Sequence, residues 1–163
     1  MKTAFRTFLI AVALVASAVG VSAQVPAPSK LINISVQVPI TDEYTSATAG
    51  FVIRGDTVKK VLIRAVGPGL APFGVTKFNP DPRLTLYNSA GAQIGMSDDW
   101  GQFVGDAEAT SRVAASVGAF ALTPGSNDAA LVANLGPGAY TVKVEGARSG
   151  DKGIILIEAY DAP

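Results

Sequence analysis

Short runs of β-branched and aliphatic residues recur along most of this sequence, and clusters of glycine, proline, asparagine and aspartate separate them. Runs of this length between turn-forming residues are typical of β-strands. We predict an all-β fold, a single jelly-roll-like β-sandwich of about eight mostly antiparallel strands. The predicted strands cover residues 31–38, 49–54, 60–66, 83–87, 92–96, 129–134, 140–145 and 154–160.

Two of the predicted strands, 60–66 and 154–160, are apolar on both faces and carry one interior charge each, Arg64 and Glu158. Residues 140–145 instead alternate between apolar and polar positions, which predicts one face in water. We therefore expect the two apolar strands to be central or covered. A buried charge is costly unless it is paired, so Arg64 and Glu158 are expected to be partners if their strands are neighbours. Anion binding by Arg64 is the alternative.

One segment, near 106–117, departs from the β pattern. Asp106 stands at its start, Gly118 follows its end, and its apolar residues recur every four positions. Aspartate is a common N-cap and glycine a common residue just past a helix end. The pattern predicts one short helix with a narrow apolar face.

Two Gly-Pro-Gly sequences, at 67–69 and 136–138, share the same turn chemistry. Proline fixes φ at the first central position of a turn, and glycine accepts a positive φ at the second. We predict a type II turn at each place.

The first 23 residues have the pattern of a secretory signal peptide. Lys2 and Arg6 precede an apolar run, and small residues end at Ala23, the expected cleavage site. Residues 24–30 would then be a linker and 31–161 the sandwich domain. We expect a secreted, extracellular bacterial protein with no stable membrane insertion after cleavage.

The chain contains no histidine and no cysteine. This excludes Ser-His-Asp and Cys-His catalysis, the usual zinc sites and disulfides. A carboxylate pair or a lysine-activated serine would remain for a small hydrolase, which is a remote alternative. Loss of the signal peptide removes 2 of 13 cations and leaves 11 against 13 acids, so nucleic acid is not an expected partner.

Asp98 and Asp99 stand side by side before the single tryptophan, in the sequence SDDWG. Carboxylates in the loops of a secreted β-sandwich are suited to calcium, and the candidate ligands are Asp98, Asp99, Asp81 and Asp106. The alternative is that these aspartates only stabilise a turn by accepting backbone N–H groups. Adjacent residues of an extended chain point to opposite sides, which argues against a catalytic dyad. No cofactor other than calcium is expected.

Trp100 and Tyr87 supply flat aromatic surface of the kind that a carbohydrate-binding site presents to solvent. They are the candidate residues for stacking on a sugar ring. We favour the alternative for Trp100, in which it closes the core or the rim of the sandwich.

A series of motifs occurs in one order along residues 31–161. The motifs are LINISVQV, AGFVIRG, KKVLIRAVGPGLAPFGV, DPRLTLYNSAGAQI, SDDWG, ASVGAFAL, DAALVANLGPGAYTVKVEG and GIILIEAYD. Together they resemble a poorly characterised β-sandwich repeat module of large secreted proteins from Verrucomicrobia, Acidobacteria and Planctomycetes. The resemblance implies a fold and an extracellular location, and it transfers no catalytic residue. Two hairpins are also similar to the pre-peptidase C-terminal domains of secreted enzymes.

These observations favour a non-enzymatic structural or adhesive unit outside the cell. Its expected partners are other copies of itself, or matrix and cell-surface components, because its surface is poor in charge. Self-assembly into filaments or arrays would use the N-terminal strand, with Leu31, Ile32, Ile34, Val36 and Val38 as contacts. A calcium- or carbohydrate-binding module is the second possibility.

Overall fold

The computed structural model describes residues 32–102 and 105–163. The predicted signal peptide, the predicted linker and Leu31 lie outside the described residues. The described residues form eight β-strands, one α-helix and one 3₁₀ helix, the last at Pro68–Phe73. The strands are β1 (Asn33–Ile40), β2 (Ser46–Ile53), β3 (Lys59–Val66), β4 (Pro82–Asn88), β5 (Gln93–Ser97), β6 (Ala129–Leu135), β7 (Gly138–Gly146) and β8 (Gly153–Ala162), and helix α1 is Asp106–Ser116.

The strands form two four-stranded sheets packed face to face. One sheet has the order β1-β8-β3-β6 and the other β2-β7-β4-β5. Every strand pair is antiparallel. The first strand pairs with the last, the second with the seventh, the third with the sixth and the fourth with the fifth. This pairing corresponds to one long hairpin that is folded over into two sheets. The predicted jelly-roll-like sandwich is confirmed.

The core lies between the two sheets and is built from alternate residues of each strand. In β3, Val61, Ile63 and Ala65 face this core, while Leu62 and Arg64 face the other way. The second face is covered by α1 and by the loop that follows it, so both faces of β3 are buried. This explains why the sequence of β3 is apolar throughout, and β3 and β8 are both central, as predicted.

The predicted helix is present, but its start differs from the prediction. Asp106 is the first helical residue, and the N-cap position is occupied by Gly105 at φ +89°. No described side chain caps the helix N-terminus. Asp106 and Glu108 lie in the first turn, where negative charge is favourable because of the helix dipole.

Both predictions of type II turns are wrong. Pro68 begins the 3₁₀ helix, and Gly69 inside it does not have a positive φ. Gly138 has a φ of +159° and begins β7, whereas a type II turn needs a φ of about +80° at that position. Glycine is needed at positions 67 and 69 because neighbouring atoms pack closely there, and not because the backbone has a positive φ. A Cβ at Gly67 would lie 2.1 Å from the Asn79 carbonyl oxygen, and one at Gly69 would lie 2.9 Å from Val66 Cγ1.

Candidate functional site

Asp98 and Asp99 follow β5 directly, at the end of the sheet where β4 begins. Both residues are partly buried. The Oδ1 atom of each aspartate is shielded from solvent and has no hydrogen-bond partner among the described residues. A buried carboxylate oxygen without a donor is unfavourable, so the described residues leave the burial of these two oxygens uncompensated.

Asp81 lies immediately before β4, near the same corner. It is 5% exposed, and its Oδ2 lies 3.1 Å from Nη1 of Arg148. Burial raises the pKa of Asp81; the Arg148 guanidinium opposes this, and the negative charges of Asp98, Asp99 and Asp151 add to it. The pKa of Asp81 is therefore raised first by its burial and only secondarily by the neighbouring acids.

The four aspartates named as calcium ligands do not form a complete ligand set. Within residues 32–102 and 105–163, no group of three or more acidic, histidine or cysteine side chains is arranged to hold a metal ion. Asp81 is already paired with Arg148, and Asp106 belongs to α1. Asp98 and Asp99 are the two that combine a buried oxygen with a missing partner.

Trp100 is a core residue. It is 5% exposed and packs with Val66, Leu70 and Leu122 on the outer face of the β8-β3 sheet. Its Nε1 donates hydrogen bonds to the carbonyl oxygen of Thr123 at 3.2 Å and to Oγ of Ser126 at 3.1 Å. The core interpretation of Trp100 therefore agrees with the structure, and no open ring face is left for a sugar.

Tyr87 does not join Trp100 in an aromatic platform. It lies near the turn of the β4–β5 hairpin, opposite Gln93, whereas Trp100 follows the other end of β5. The two residues proposed for sugar stacking are thus at opposite ends of one hairpin.

Asp128 has a structural role that the sequence did not reveal. It is fully buried, and its Oδ1 accepts hydrogen bonds from the backbone amides of Gly67 at 2.8 Å and Gly69 at 3.0 Å. Its Oδ2 accepts a hydrogen bond from Ser126 Oγ at 2.7 Å. Asp128 thereby fixes the start of the 3₁₀ helix to the beginning of β6, and a carboxylate that accepts several N–H and O–H donors is well compensated for its burial.

Arg64 and Glu158 are partners, as predicted. They face each other on β3 and β8, and Arg64 Nε donates to Glu158 Oε2 at 2.8 Å while Nη2 donates to the same oxygen. Nη1 donates to the carbonyl oxygen of Phe120 at 2.6 Å, and the guanidinium lies 4.3 Å from the Phe120 ring centroid. Tyr160 donates to Glu158 Oε1 at 2.8 Å. Arg64 therefore serves the packing of the loop after α1 against the sheet.

The strand proposed for self-association lies at a sheet edge. β1 pairs with β8 along its whole length, so Val38 and Ile40 contribute to the core. The next residues towards the N-terminus are less covered: Ile32 is 47% exposed, Ile34 55% and Val36 43%. Between β1 and the neighbouring edge strand β2, the two sheets leave an apolar groove of about 330 Å³.

Charged side chains are absent from all four edge strands of the described sandwich. The edges are β1 and β6 in one sheet and β2 and β5 in the other. Their sequences are NISVQVPI, AALVANL, SATAGFVI and QIGMS. The central strands β3, β4, β7 and β8 each carry charged residues. Charged residues on edge strands are a common means of preventing pairing between molecules, and the four described edge strands lack them.

Comparison with protein-family models and with curated protein sequences gives no match. Among solved structures, the chain is similar to the 1.0 Å crystal structure of the pre-peptidase C-terminal domain of collagenase from Bacillus anthracis. The TM-score is 0.48 and the identity 11%, over 78% of this chain and 89% of that one. That structure is of the domain type to which two hairpins of the sequence are similar. In the described part of the chain, no helix has the length and apolar character that crossing a membrane requires.

Proposed function

We propose that this chain is a non-enzymatic structural or adhesive unit outside the cell, which acts by joining other copies of itself or surface components through its strand edges. The observation that carries this proposal is the lack of charge on all four edge strands of the described sandwich. An edge strand has unpaired backbone N–H and C=O groups that can pair with another strand, and charge on the edge is one of the features that prevent this.

The exposed apolar side chains support the same function. Ile34 on β1, Val52 on β2 and both Ile94 and Met96 on β5 are each more than 40% exposed. Apolar surface on an edge strand adds a hydrophobic contribution to the backbone hydrogen bonds of a strand–strand contact. The secreted location remains part of the proposal, and it rests on the pattern of residues 1–23.

Sedimentation velocity of the natively produced protein over a range of concentrations tests the proposal. We expect reversible association that weakens when one edge receives a charge, in Ile34→Lys, Val52→Lys or Ile94→Lys. Val58→Lys is the matched control, because Val58, at 65%, is at least as exposed as the three edge residues but lies in the loop between β2 and β3. A monomer at every concentration would overturn the proposal, and so would an equal effect of Val58→Lys.

Calcium binding is a second candidate, favoured by the two partnerless carboxylate oxygens of Asp98 and Asp99. A bound calcium ion would accept these oxygens as ligands, with backbone carbonyls or water completing its shell. The carbohydrate-binding and hydrolase alternatives have no comparable observation in their favour.

Thermal unfolding in calcium, in magnesium and in chelator tests this candidate. An ion that binds only the folded chain raises the melting temperature, so we expect a rise with calcium that is lost in Asp98→Asn. Glu108→Gln is the control, because Glu108 is an exposed acid on α1 that pairs with Arg112. An identical melting temperature in calcium and chelator would exclude the site.

A further inference from the structure

The direction of the backbone groups in β1 follows from one hydrogen bond. The amide of Asp161 donates to the carbonyl oxygen of Ile32 at 2.8 Å, so the backbone of Ile32 faces β8. Successive residues of a strand turn these groups to opposite sides, and the register of β1 with β8 is continuous. The even-numbered residues of β1 therefore bond to β8. Asn33, Ser35, Gln37 and Pro39 turn their backbone groups to the other side of β1, the open side, where no strand among the described residues pairs with them.

Pro39 agrees with this assignment. Proline has no N–H and is accepted in a sheet only where the missing donor would face away from a partner strand. Its position on the open side costs no hydrogen bond to β8. Pro39 also ends the stretch that can pair, so the open donors are the amides of Asn33, Ser35 and Gln37.

The open edge of β1 is complementary to itself. When two copies are placed antiparallel about a two-fold axis at Ser35, each Ser35 exchanges both of its backbone hydrogen bonds with Ser35 of the second copy. Asn33 of each copy likewise exchanges both backbone hydrogen bonds with Gln37 of the other copy. Every open amide then has an acceptor, and Pro39 lies outside the ladder. A shift of register towards Pro39 would place a residue without an N–H opposite an acceptor.

We infer that a second copy of this chain occupies the open edge of β1 in this register, so that two four-stranded sheets join into one. This deepens the self-association in the proposed function and rests on it. The absence of charge on this edge allows the contact, because β1 carries no charged residue and two copies therefore meet without like-charge repulsion. The side chains also match, since the half-exposed Ile34 lies beside Val36 of the second copy on the inner face.

A pair of proline variants tests the backbone prediction. Ser35→Pro removes an amide that faces the open side, so the variant should fold with an unchanged melting temperature and remain monomeric at concentrations where the natural protein dimerises. Val36→Pro removes an amide that bonds to β8, opposite Ile157, and should lower the melting temperature. Dimerisation of Ser35→Pro equal to that of the natural protein would overturn the inference.

A cysteine variant tests the register independently, because the chain has no cysteine of its own. Residues that exchange both hydrogen bonds have Cα atoms about 5.5 Å apart, which is within the range of a disulfide. Ser35→Cys should therefore give a covalent dimer under mild oxidation. Thr48→Cys, at an exposed position on the neighbouring edge β2, is the control and should not.

The outcomes distinguish the inference from the proposed function. Association of the natural protein together with cross-linking at Thr48→Cys but not at Ser35→Cys would overturn the β1 register and keep edge-to-edge assembly. A natural protein that stays monomeric would overturn both. Cross-linking of Ser35→Cys with loss of dimer in Ser35→Pro supports both.

Discussion

Arg64 shows at the scale of one residue why a buried charge can persist in this sandwich. Its guanidinium is fully buried, yet three of its nitrogens donate to Glu158 and to the Phe120 carbonyl. Glu158 in turn accepts from Tyr160. The pairing was predictable from sequence because each charge interrupts an apolar strand. The Phe120 contact was not, because it depends on how the loop after α1 folds back.

We expect Arg64→Met to destabilise the protein by about 3–5 kcal/mol, because it leaves Glu158 buried without its cation. Arg64→Met with Glu158→Leu should be less destabilised than the single variant, since no charge then remains buried. Urea unfolding followed by Trp100 fluorescence measures both. A double variant that is less stable than Arg64→Met would contradict this account, because the orphaned carboxylate would then not be the main cause of the loss.

Tyr160 provides a pH test of the same cluster. Burial and the hydrogen bond to Glu158 raise its pKa to about 12. In the unfolded chain the proton is lost near pH 10, so the folded state holds it longer and stability falls between pH 10 and about 12. Below pH 10 this contribution is fully present.

We therefore expect the Tyr160→Phe variant to lose less stability than the natural protein over that alkaline range. In an ultraviolet titration, the variant should also lack the tyrosine ionisation near pH 12. Equal loss of stability in the two proteins would contradict the raised pKa.

At the scale of elements, the strands could be predicted from the alternation of apolar and polar residues and from the turn-forming residues between them. The conformation of the turns could not be predicted in this way. The strand and helix positions agree with the prediction to within a few residues. The two Gly-Pro-Gly sequences look alike but serve different surroundings. A Cβ at Gly67 would lie 2.1 Å from the Asn79 carbonyl oxygen, whereas at Gly136 it would meet no described atom within 4 Å. That difference arises only when distant segments meet.

The two glycines therefore make a matched test. Gly67→Ala should destabilise the protein by about 1–3 kcal/mol or more, because the clash is with backbone that cannot rotate away. Gly136→Ala should leave stability unchanged or raise it slightly through a less flexible unfolded chain. Thermal unfolding of the two variants tests this difference, and equal melting temperatures would contradict the packing of Gly67 against Asn79.

At the scale of the whole molecule, the order of strands determines what the surface offers. The sequence predicted that β3 and β8 are central or covered, because they are apolar on both faces. It could not show which other strands form edges, since that depends on which strands pair. An uncharged strand such as β6 has a sequence that suits a central position as well as an edge. Likewise, the sequence named the acidic pair Asp98 and Asp99 but could not show that one oxygen of each lacks a donor.

The central claim is that the open edge of β1 binds a second copy, and amide hydrogen exchange of β1 at increasing protein concentration tests it most directly. We expect the amides of Asn33, Ser35 and Gln37 to exchange quickly in dilute solution and to become protected as dimer forms. The amides of Ile34, Val36 and Val38 should be protected throughout by their bonds to β8. Rapid exchange of the first three at concentrations where the protein is dimeric would contradict the claim.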